Sequence, residues 1–177
     1  YAADYLGGRG LVTRLYWESV AARTGAFDPE NHLIFMTGPL GATGAQGASR
    51  FVVAGKSPML LPEGFCVGNL GGHFGPYLKR AGFDGLVVSG ASEKPVYLLI
   101  RDGRVEILDG SGLWGRGVYA VAERLQAEHG NTVRYVTTGP AGENLCRTAN
   151  LMTDNEGSGT GGFGAVMGSK KLKAICV

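Results

Sequence analysis

One arrangement occurs twice in this chain and limits what it can fold into. A Thr-Gly-Pro turn is followed by a Gly-Gly loop, which opens a helix at a Phe-Gly pair and leads into an apolar strand. The first copy runs from Thr37-Gly38-Pro39 through Gly71-Gly72-His73-Phe74-Gly75 to Gly85-Leu86-Val87-Val88. The second runs from Thr138-Gly139-Pro140 through Gly161-Gly162-Phe163-Gly164 to Ala174-Ile175-Cys176-Val177. An offset of 89 positions superposes Gly72 on Gly161, Phe74 on Phe163 and Val88 on Val177 without a gap, whereas the Thr-Gly-Pro turns are offset by 101. The loops between turn and helix therefore differ in length. Each copy places backbone N–H groups at a helix N-terminus, where they lack an intrahelical acceptor and the helix dipole favours an anion. The expectation is a pair of related anion sites, for one ligand with two phosphates or two ligands with one each.

Glycine is the residue out of proportion, 31 of 177, more than twice the ~7% of an average protein. These glycines cluster at the ends of expected strands and helices, so they mark tight turns and close approach of the backbone to something. With 44% hydrophobic and 18% charged residues, the chain can bury one globular core. A net charge of +2 gives no basis for a nucleic-acid or anionic-membrane partner. No apolar run approaches the ~18 residues of a spanning helix, and no secretory signal is present. Cys66, Cys146 and Cys176 form no C-x-x-C, so this chain alone holds neither zinc nor an iron–sulfur cluster. They read as small buried hydrophobes in a reducing, cytoplasmic setting. Lys170, Lys171 and Lys173, the one basic cluster, read as a solvated helix end. Beginning at Tyr1 and stopping at Val177 inside an apolar run, the chain is read as a single domain, 1–177, cut from a longer multidomain protein.

Periodicity supplies the elements. Leu11, Leu15, Tyr16 and Val20 predict a helix ending near Gly25, and residues 33–36 and 51–54 two short buried strands. Residues 57–70, with two prolines, read as a loop, and residues 74–82 as a short helix before a strand from Gly85. Two apolar runs flank Arg101-Asp102-Gly103-Arg104, a hairpin signal. Val118, Val121, Ala122 and Leu125 predict a helix closed by Gly130, followed by a strand from Val133 to Val136. The antiparallel hairpin excludes a simple doubly wound sheet. The pattern fits an internally duplicated α+β domain, with two face-packed β-sheets and helices outside in an α/β/β/α-like order, and pseudo-repeats over about 31–90 and 132–177.

Two loops carry the candidate chemistry. In Asn69-Leu70-Gly71-Gly72-His73-Phe74-Gly75, adjacent glycines let the main chain touch a phosphate, where a Cβ would collide. Asn69 adds a carbonyl and an amide. Alone, the same segment would serve equally as a closely packed strand-to-helix turn, and it is not the G-x-G-x-x-G of a dinucleotide fold. The matching segment from Asp154 to Gly162 combines glycines with the hydroxyls of Ser158 and Thr160, as an oxyanion cradle or a surface loop. Duplication favours the cradle for both. Arg50 follows a nearly bulkless stretch, Gly41 to Ser49, and is either a solvated edge charge or a guanidinium entering an open groove. His32, His73 and His129 have no partner at metal-ligand spacing, and only His73 lies beside a cradle. No Ser/His/Asp or Cys/His set is legible, and Glu143-Asn144 reads as a turn cap.

Ten blocks occur in order: Gly7-Gly8-Arg9-Gly10, Thr37-Gly38-Pro39-Leu40, Arg50-Phe51-Val52-Val53, Lys56-Ser57-Pro58, Gly71-Gly72-x-Phe74-Gly75, Lys79-x-Ala81-Gly82-Phe83-Asp84, Glu93-Lys94-Pro95-Val96-Tyr97, Leu113-Trp114-Gly115, Gly139-Pro140-Ala141-Gly142-Glu143-Asn144 and Gly164-Ala165-Val166-Met167-Gly168-Ser169-Lys170. In these the chain resembles the N-terminal domain of the aldehyde ferredoxin oxidoreductase family, over its whole length. The resemblance implies two sheets cradling a tungsten (sometimes molybdenum) bis-pyranopterin, each pterin with one phosphate and a magnesium ion joining the phosphates. It implies cofactor contacts from Arg50, Asn69, Gly71 and Gly72 in the first half and from Glu156, Gly157, Gly159 and Thr160 in the second. The carbonyls of Asn69 and Gly157 are implied as magnesium ligands.

The resemblance further implies oxidation of an aldehyde to a carboxylic acid, with electrons leaving through a 4Fe-4S cluster to ferredoxin. Cluster cysteines and acid–base residues would come from the protein's own C-terminal domains, leaving no catalytic residue here and the isolated domain inactive. A homodimeric assembly is compatible with it. The second loop departs from the family pattern: where aldehyde-oxidising members tend to carry arginines, Asn155, Glu156 and Thr160 stand here. A carboxylate facing a phosphate repels it unless magnesium intervenes or Glu156 turns away. The same cofactor could thus serve another substrate, such as an aromatic acyl group to be reduced. From a different class, a non-enzymatic phosphate- or nucleotide-binding module would use the same cradles.

Overall fold

The computed structural model describes the backbone of residues 1–177 and every side chain except that of Ala2. Two helices, α1 (Ala2–Tyr5) and α2 (Gly8–Ser19), precede the first half. That half holds strands β1 (Leu33–Thr37), β2 (Phe51–Ser57) and β3 (Gly64–Leu70), helix α3 (Phe74–Arg80) and strand β4 (Gly85–Val88). A hairpin of β5 (Val96–Arg101) and β6 (Arg104–Asp109), then helix α4 (Val118–His129), joins the halves. The second half holds β7 (Tyr135–Thr138), α5 (Pro140–Glu143), β8 (Leu151–Thr153), a 3-10 turn (Asp154–Glu156), β9 (Ser158–Gly159), α6 (Phe163–Ser169) and β10 (Leu172–Cys176).

The strands form two sheets, ordered β3-β2-β1-β4 and β6-β5-β10-β7-β8-β9. Read from β9, the second begins β9-β8-β7-β10, which repeats the first strand for strand. Register confirms the duplication at residue level. Phe35 pairs with Val53 and Leu86, and Val136 pairs with Thr153 and Ile175. Phe51 pairs with Leu70, and Leu151 with Gly159. Structure thus matches Asn69 with Ser158 and Gly71 with Thr160, at the offset of 89 that the sequence gives for Phe74 and Phe163. The β5–β6 hairpin extends the second sheet through a parallel β5–β10 pair. Its two-residue turn, Asp102 (φ 50°) and Gly103 (φ 73°), is the left-handed pair a tight hairpin requires.

Alternation along β1 sets the layers. Ile34 and Met36 point outward against Val12 and Tyr16 of α2, with Val52 and Ala54 of β2. Leu33 and Phe35 point inward, to Phe51, Val53 and Leu70. On the far side, Val121 and Leu125 of α4 cover Tyr97, Leu99, Ala174 and Cys176. The order is therefore helix, sheet, sheet, helix. Phe74 and Leu78 of α3, with Phe163, Val166 and Met167 of α6, complete the core between the sheets. Both faces of β1 and β10 are covered, so all five residues of each are buried. Among the described residues no helix is long and apolar enough to cross a membrane.

Four expectations need correcting. The segment read as a loop contains β3, whose seven residues pair with β2 in antiparallel register. Gly64, Gly68 and Asn69 lower its intrinsic strand propensity, and packing overrides this. At Gly68 an added Cβ would sit 2.6 Å from the Thr160 carbonyl oxygen. Helix α2 stops at Ser19, and β7 starts at Tyr135, two residues late. The basic cluster is not a solvated helix end: Lys170 and Lys173 are buried, and Lys171 lies over the Trp114 ring.

Candidate functional site

The repeat brings its two glycine loops into contact with each other. β3 and β9 are matching edge strands, and they pass side by side. An added Cβ on Gly159 would meet the Leu70 side chain at 2.7 Å, and one on Gly157 the Gly71 main chain at 3.0 Å. Thr153 ties the loops by hydrogen bonding: its hydroxyl lies 3.0 Å from the Gly71 carbonyl oxygen, and 3.1 and 3.2 Å from those of Asp154 and Gly157. One hydroxyl hydrogen is thus shared over three acceptors in two loops.

The helix N-termini beside these loops are not the open anion seats the sequence suggests. The buried carboxylate of Asp154 accepts the N–H of His73 at 3.0 Å and of Phe74 at 3.2 Å, closing the first turn of α3. In the second half the Gly164 N–H donates to the Ala149 carbonyl at 2.9 Å, and α6 is buried from Phe163 to Gly168. Both seats are filled by the protein. What stays open lies one turn earlier, on the loops.

Arg50 is exposed, one residue beyond the last β2–β3 pair, Phe51 with Leu70, and so flanks Gly71. It makes no hydrogen bond or ion pair among the described residues. Asn69 is exposed, and an added Cβ on Gly71 would meet nothing within 4 Å. Gly72 differs from its neighbour: φ is +89°, and an added Cβ would lie 2.6 Å from the Asp154 carbonyl oxygen. Its counterpart Gly161 also has positive φ, +108°. In the second loop Ser158 and Thr160 are exposed, Gly157 half-buried and Gly159 buried. The Gly157 carbonyl accepts from Thr153 N–H at 2.8 Å, which extends the β8–β9 ladder by one pair. In antiparallel alternation Ser158, opposite Met152, then turns its own N–H and C=O away from β8. Asn155 (φ 59°) and Glu156 (φ 57°) are consecutive left-handed residues, a costly conformation without glycine. The Glu156 carboxylate lies 3.4 Å from the Tyr119 hydroxyl, turned towards α4.

Residues 1–177 match the family model described as aldehyde ferredoxin oxidoreductase, N-terminal domain. The chain belongs to that family. Tungsten-containing aldehyde ferredoxin oxidoreductases of Thermococcus kodakarensis and Pyrococcus furiosus are 46% and 44% identical to it over 179 residues, with 99% of this chain and 29% of each relative covered. An aliphatic sulfonate oxidoreductase, WOR-like subunit, of Pyrococcus furiosus is 36% identical over 188 residues, covering 97% of this chain and 30% of the relative. Among solved structures, the active site complex BamBC of benzoyl coenzyme A reductase with 1,5 dienoyl-CoA matches with a TM-score of 0.93 at 37% identity, covering 99% of this chain and 27% of that chain. The chain spans under a third of the length of these relatives.

As an aldehyde ferredoxin oxidoreductase N-terminal domain, the chain offers main-chain groups and hydroxyls rather than metal-ligand clusters. Among the described residues no three or more of His, Cys, Asp and Glu gather where they could hold a metal ion. Its thiols are free and apart: Cys66 half-buried, Cys176 buried and Cys146 exposed. The Thr148 hydroxyl and N–H draw the Cys146 pKa down, and burial pushes the Cys176 thiol up. The sequence did not single out Thr153 and Asp154, which lie 82 and 80 residues from their partners Gly71 and Phe74. Only the three-dimensional meeting of the repeats reveals them.

Proposed function

We propose that this domain is the cofactor cradle of a tungsten or molybdenum bis-pyranopterin oxidoreductase that converts aldehydes to carboxylic acids and passes electrons through a 4Fe-4S cluster to ferredoxin. The observation that carries the reading is the contact between the two glycine loops. Two related loops that touch, each with exposed main chain, suit one ligand bearing two phosphates better than two separate ligands. The tungsten-containing relatives support a metal of this kind, tungsten above molybdenum. The residues fit such a group: Gly71 faces open space where a Cβ would intrude, and Asn69, Ser158 and Thr160 are exposed beside it.

Arg50, Asn69, Gly71 and Gly72 would line the first half of the cradle, and Glu156, Gly157, Gly159 and Thr160 the second. Main-chain N–H groups and the Ser158 and Thr160 hydroxyls would donate to phosphate oxygens, and the Arg50 guanidinium would lie against a pterin. Magnesium prefers oxygen ligands. The carbonyls of Asn69 and Gly157 would supply two. The Gly157 carbonyl accepts the Thr153 N–H and keeps a second lone pair, and the repeat register makes the Ser158 carbonyl the alternative ligand. When bound, the metal pterin supplies the two-electron redox chemistry. The chain's own share is to bind, orient and shield it. With Glu156 turned towards Tyr119, a carboxylate in the second loop no longer opposes a phosphate. Cluster cysteines, acid–base groups and the substrate channel would lie in the protein's C-terminal domains.

A second reading keeps the cofactor and changes the substrate to an aromatic acyl thioester that is reduced. The match to the benzoyl coenzyme A reductase complex favours it. The test is elemental analysis of the anaerobically purified full-length protein for tungsten, molybdenum, iron and phosphorus, followed by assay with aldehydes and with aromatic acyl thioesters. Stoichiometric tungsten or molybdenum with iron and phosphorus is expected. Repeated absence of both metals, from a host able to make the cofactor, would replace this reading with a phosphate-binding module.

A further inference from the structure

The Asp154 carboxylate has a third partner. Its Oδ2 lies 3.0 Å from His73 Nδ1, and the Asn155 side-chain amide lies 3.0 Å from the same ring nitrogen. A carboxylate oxygen only accepts, so Nδ1 carries the hydrogen, and Asn155, by a flip of its amide, turns Oδ1 to the same N–H. The ring is thus fixed by two residues of the second loop, while half of the His73 side chain stays exposed. Its Nε2 has no hydrogen-bond partner among the described residues. Arg134 completes the surroundings, with Nε 3.8 Å from Asp154 Oδ2 and its guanidinium 5.1 Å from the centre of the Tyr77 ring.

The repeat makes this ring an asymmetry. The position matching His73 in the second half is Gly162, buried, with φ +70°, where an added Cβ would lie 2.8 Å from the Pro58 side chain. One half closes this point by packing. The other presents an oriented imidazole next to the open main chain of Gly71. A buried carboxylate that fixes one ring nitrogen so that the other faces outward is the arrangement by which proteins aim a histidine at a ligand.

We propose that His73 is a ligand-contacting residue of the first loop, aimed by Asp154 and Asn155 so that Nε2 meets a phosphate oxygen of the bound pterin cofactor. The proposal rests on the cofactor reading above. Held between the Asp154 carboxylate at Nδ1–H and a phosphate oxygen, the ring would carry both of its hydrogens, and the Nε2–H would be the donor it offers the anion. The test uses the full-length holoenzyme with His73→Leu, which keeps bulk and loses the donor, and His73→Gln, which restores one. The readouts are metal and phosphorus per chain, and the rate of metal loss during anaerobic incubation with a chelator.

His73→Leu should lose metal about tenfold faster, the effect of one hydrogen bond to a charged group. Its unfolding midpoint should fall only modestly, because the cap on α3 uses the His73 main-chain N–H and the ring contact that is lost is half-exposed. His73→Gln should recover part of the retention, and His73→Ala repeats the comparison should the leucine variant misfold. Equal rates for loaded wild type and the donor-free variant would overturn this role and leave the cofactor reading standing. Wild-type protein lacking metal and phosphorus altogether would overturn both.

Discussion

Asp154 Oδ1 accepts the main-chain N–H of Phe74 at 3.2 Å, joining residues 80 apart in sequence and in opposite halves of the repeat. The same carboxylate accepts the N–H of His73, so one side chain closes the first turn of α3 and fixes the second loop against the first. Hydrogen bonds to a charged group are worth about 1.5–3 kcal/mol, and buried donors left unmet add to the loss. Asp154→Ala should therefore lower the unfolding free energy by about 2–4 kcal/mol, read from the denaturant midpoint at constant slope. A loss below ~1 kcal/mol would mean that water replaces the cap and that the loops are held elsewhere.

Gly71 and Gly72 are neighbours with opposite demands. Gly71 has no left-handed backbone and open space at its Cβ position, whereas Gly72 has φ +89° and the Asp154 carbonyl 2.6 Å away. Gly71→Val should leave the unfolding midpoint within about 1 kcal/mol of wild type and reduce bound metal and phosphorus. Gly72→Val should lose fold and cofactor together. Full metal content in Gly71→Val would remove that residue from the cradle.

The duplication was legible because its signals are local: a Gly-Pro turn, a Gly-Gly pair, a Phe-Gly helix start. Their offsets reappear as strand register, and the outer helices follow from apolar periodicity. What stayed illegible depends on residues far apart. β3 reads as a loop because its glycines look like punctuation, yet at Gly68 the Thr160 carbonyl leaves no room for a side chain. Backbone amides at α3 read as free because no local rule anticipates a carboxylate 80 positions away. Several glycines that suggest ligand approach serve internal packing instead: Gly142, Gly164 and Gly168 let α5 and α6 touch main chain to main chain. The loop residues remain the part of the site that sequence located, while Thr153 and Asp154, which hold the loops together, needed the fold.

Lys170 connects charge to stability. Its Nζ donates to the carbonyls of Pro29 at 3.0 Å and Gly90 at 3.1 Å. Burial pushes its pKa down from the usual 10.5 to about 8, with Glu30 opposing part of the fall. A folded pKa below the unfolded one means that the unfolded chain binds the proton more readily between about pH 8 and 10.5. The Lys170 contribution is thus fully present above 10.5 and is lost as pH falls through 8. The stability of wild type minus that of Lys170→Met should rise across this window by up to about 3 kcal/mol. Unfolding of both proteins at pH 7.5, 9 and 10.5 (on the order of one unit either side of the midpoint) reads this directly. A flat difference would show that the amine is solvated.

Lys173 and Glu143 form a buried ion pair, with side chains 0% and 4% exposed. Lys173 Nζ also donates to the Arg116 carbonyl at 2.8 Å, and Glu143 Oε2 accepts the Gly115 N–H at 2.8 Å. The pair thus links β10 and α5 to the segment before α4, and Glu143 caps a turn distant from its own. Removing one member strands the other charge out of water, at a cost of about 3–5 kcal/mol, whereas replacing both with apolar side chains is often near neutral. Glu143→Leu should therefore destabilise the fold by about that amount, and adding Lys173→Met should recover at least half. The residual loss would come from the Gly115 N–H, whose acceptor is gone, at about 1–3 kcal/mol. Denaturant unfolding of the two single variants and the double variant gives the coupling energy. If the double variant is as unstable as the sum of the singles, the two side chains act separately and the pair does not hold β10 to α5.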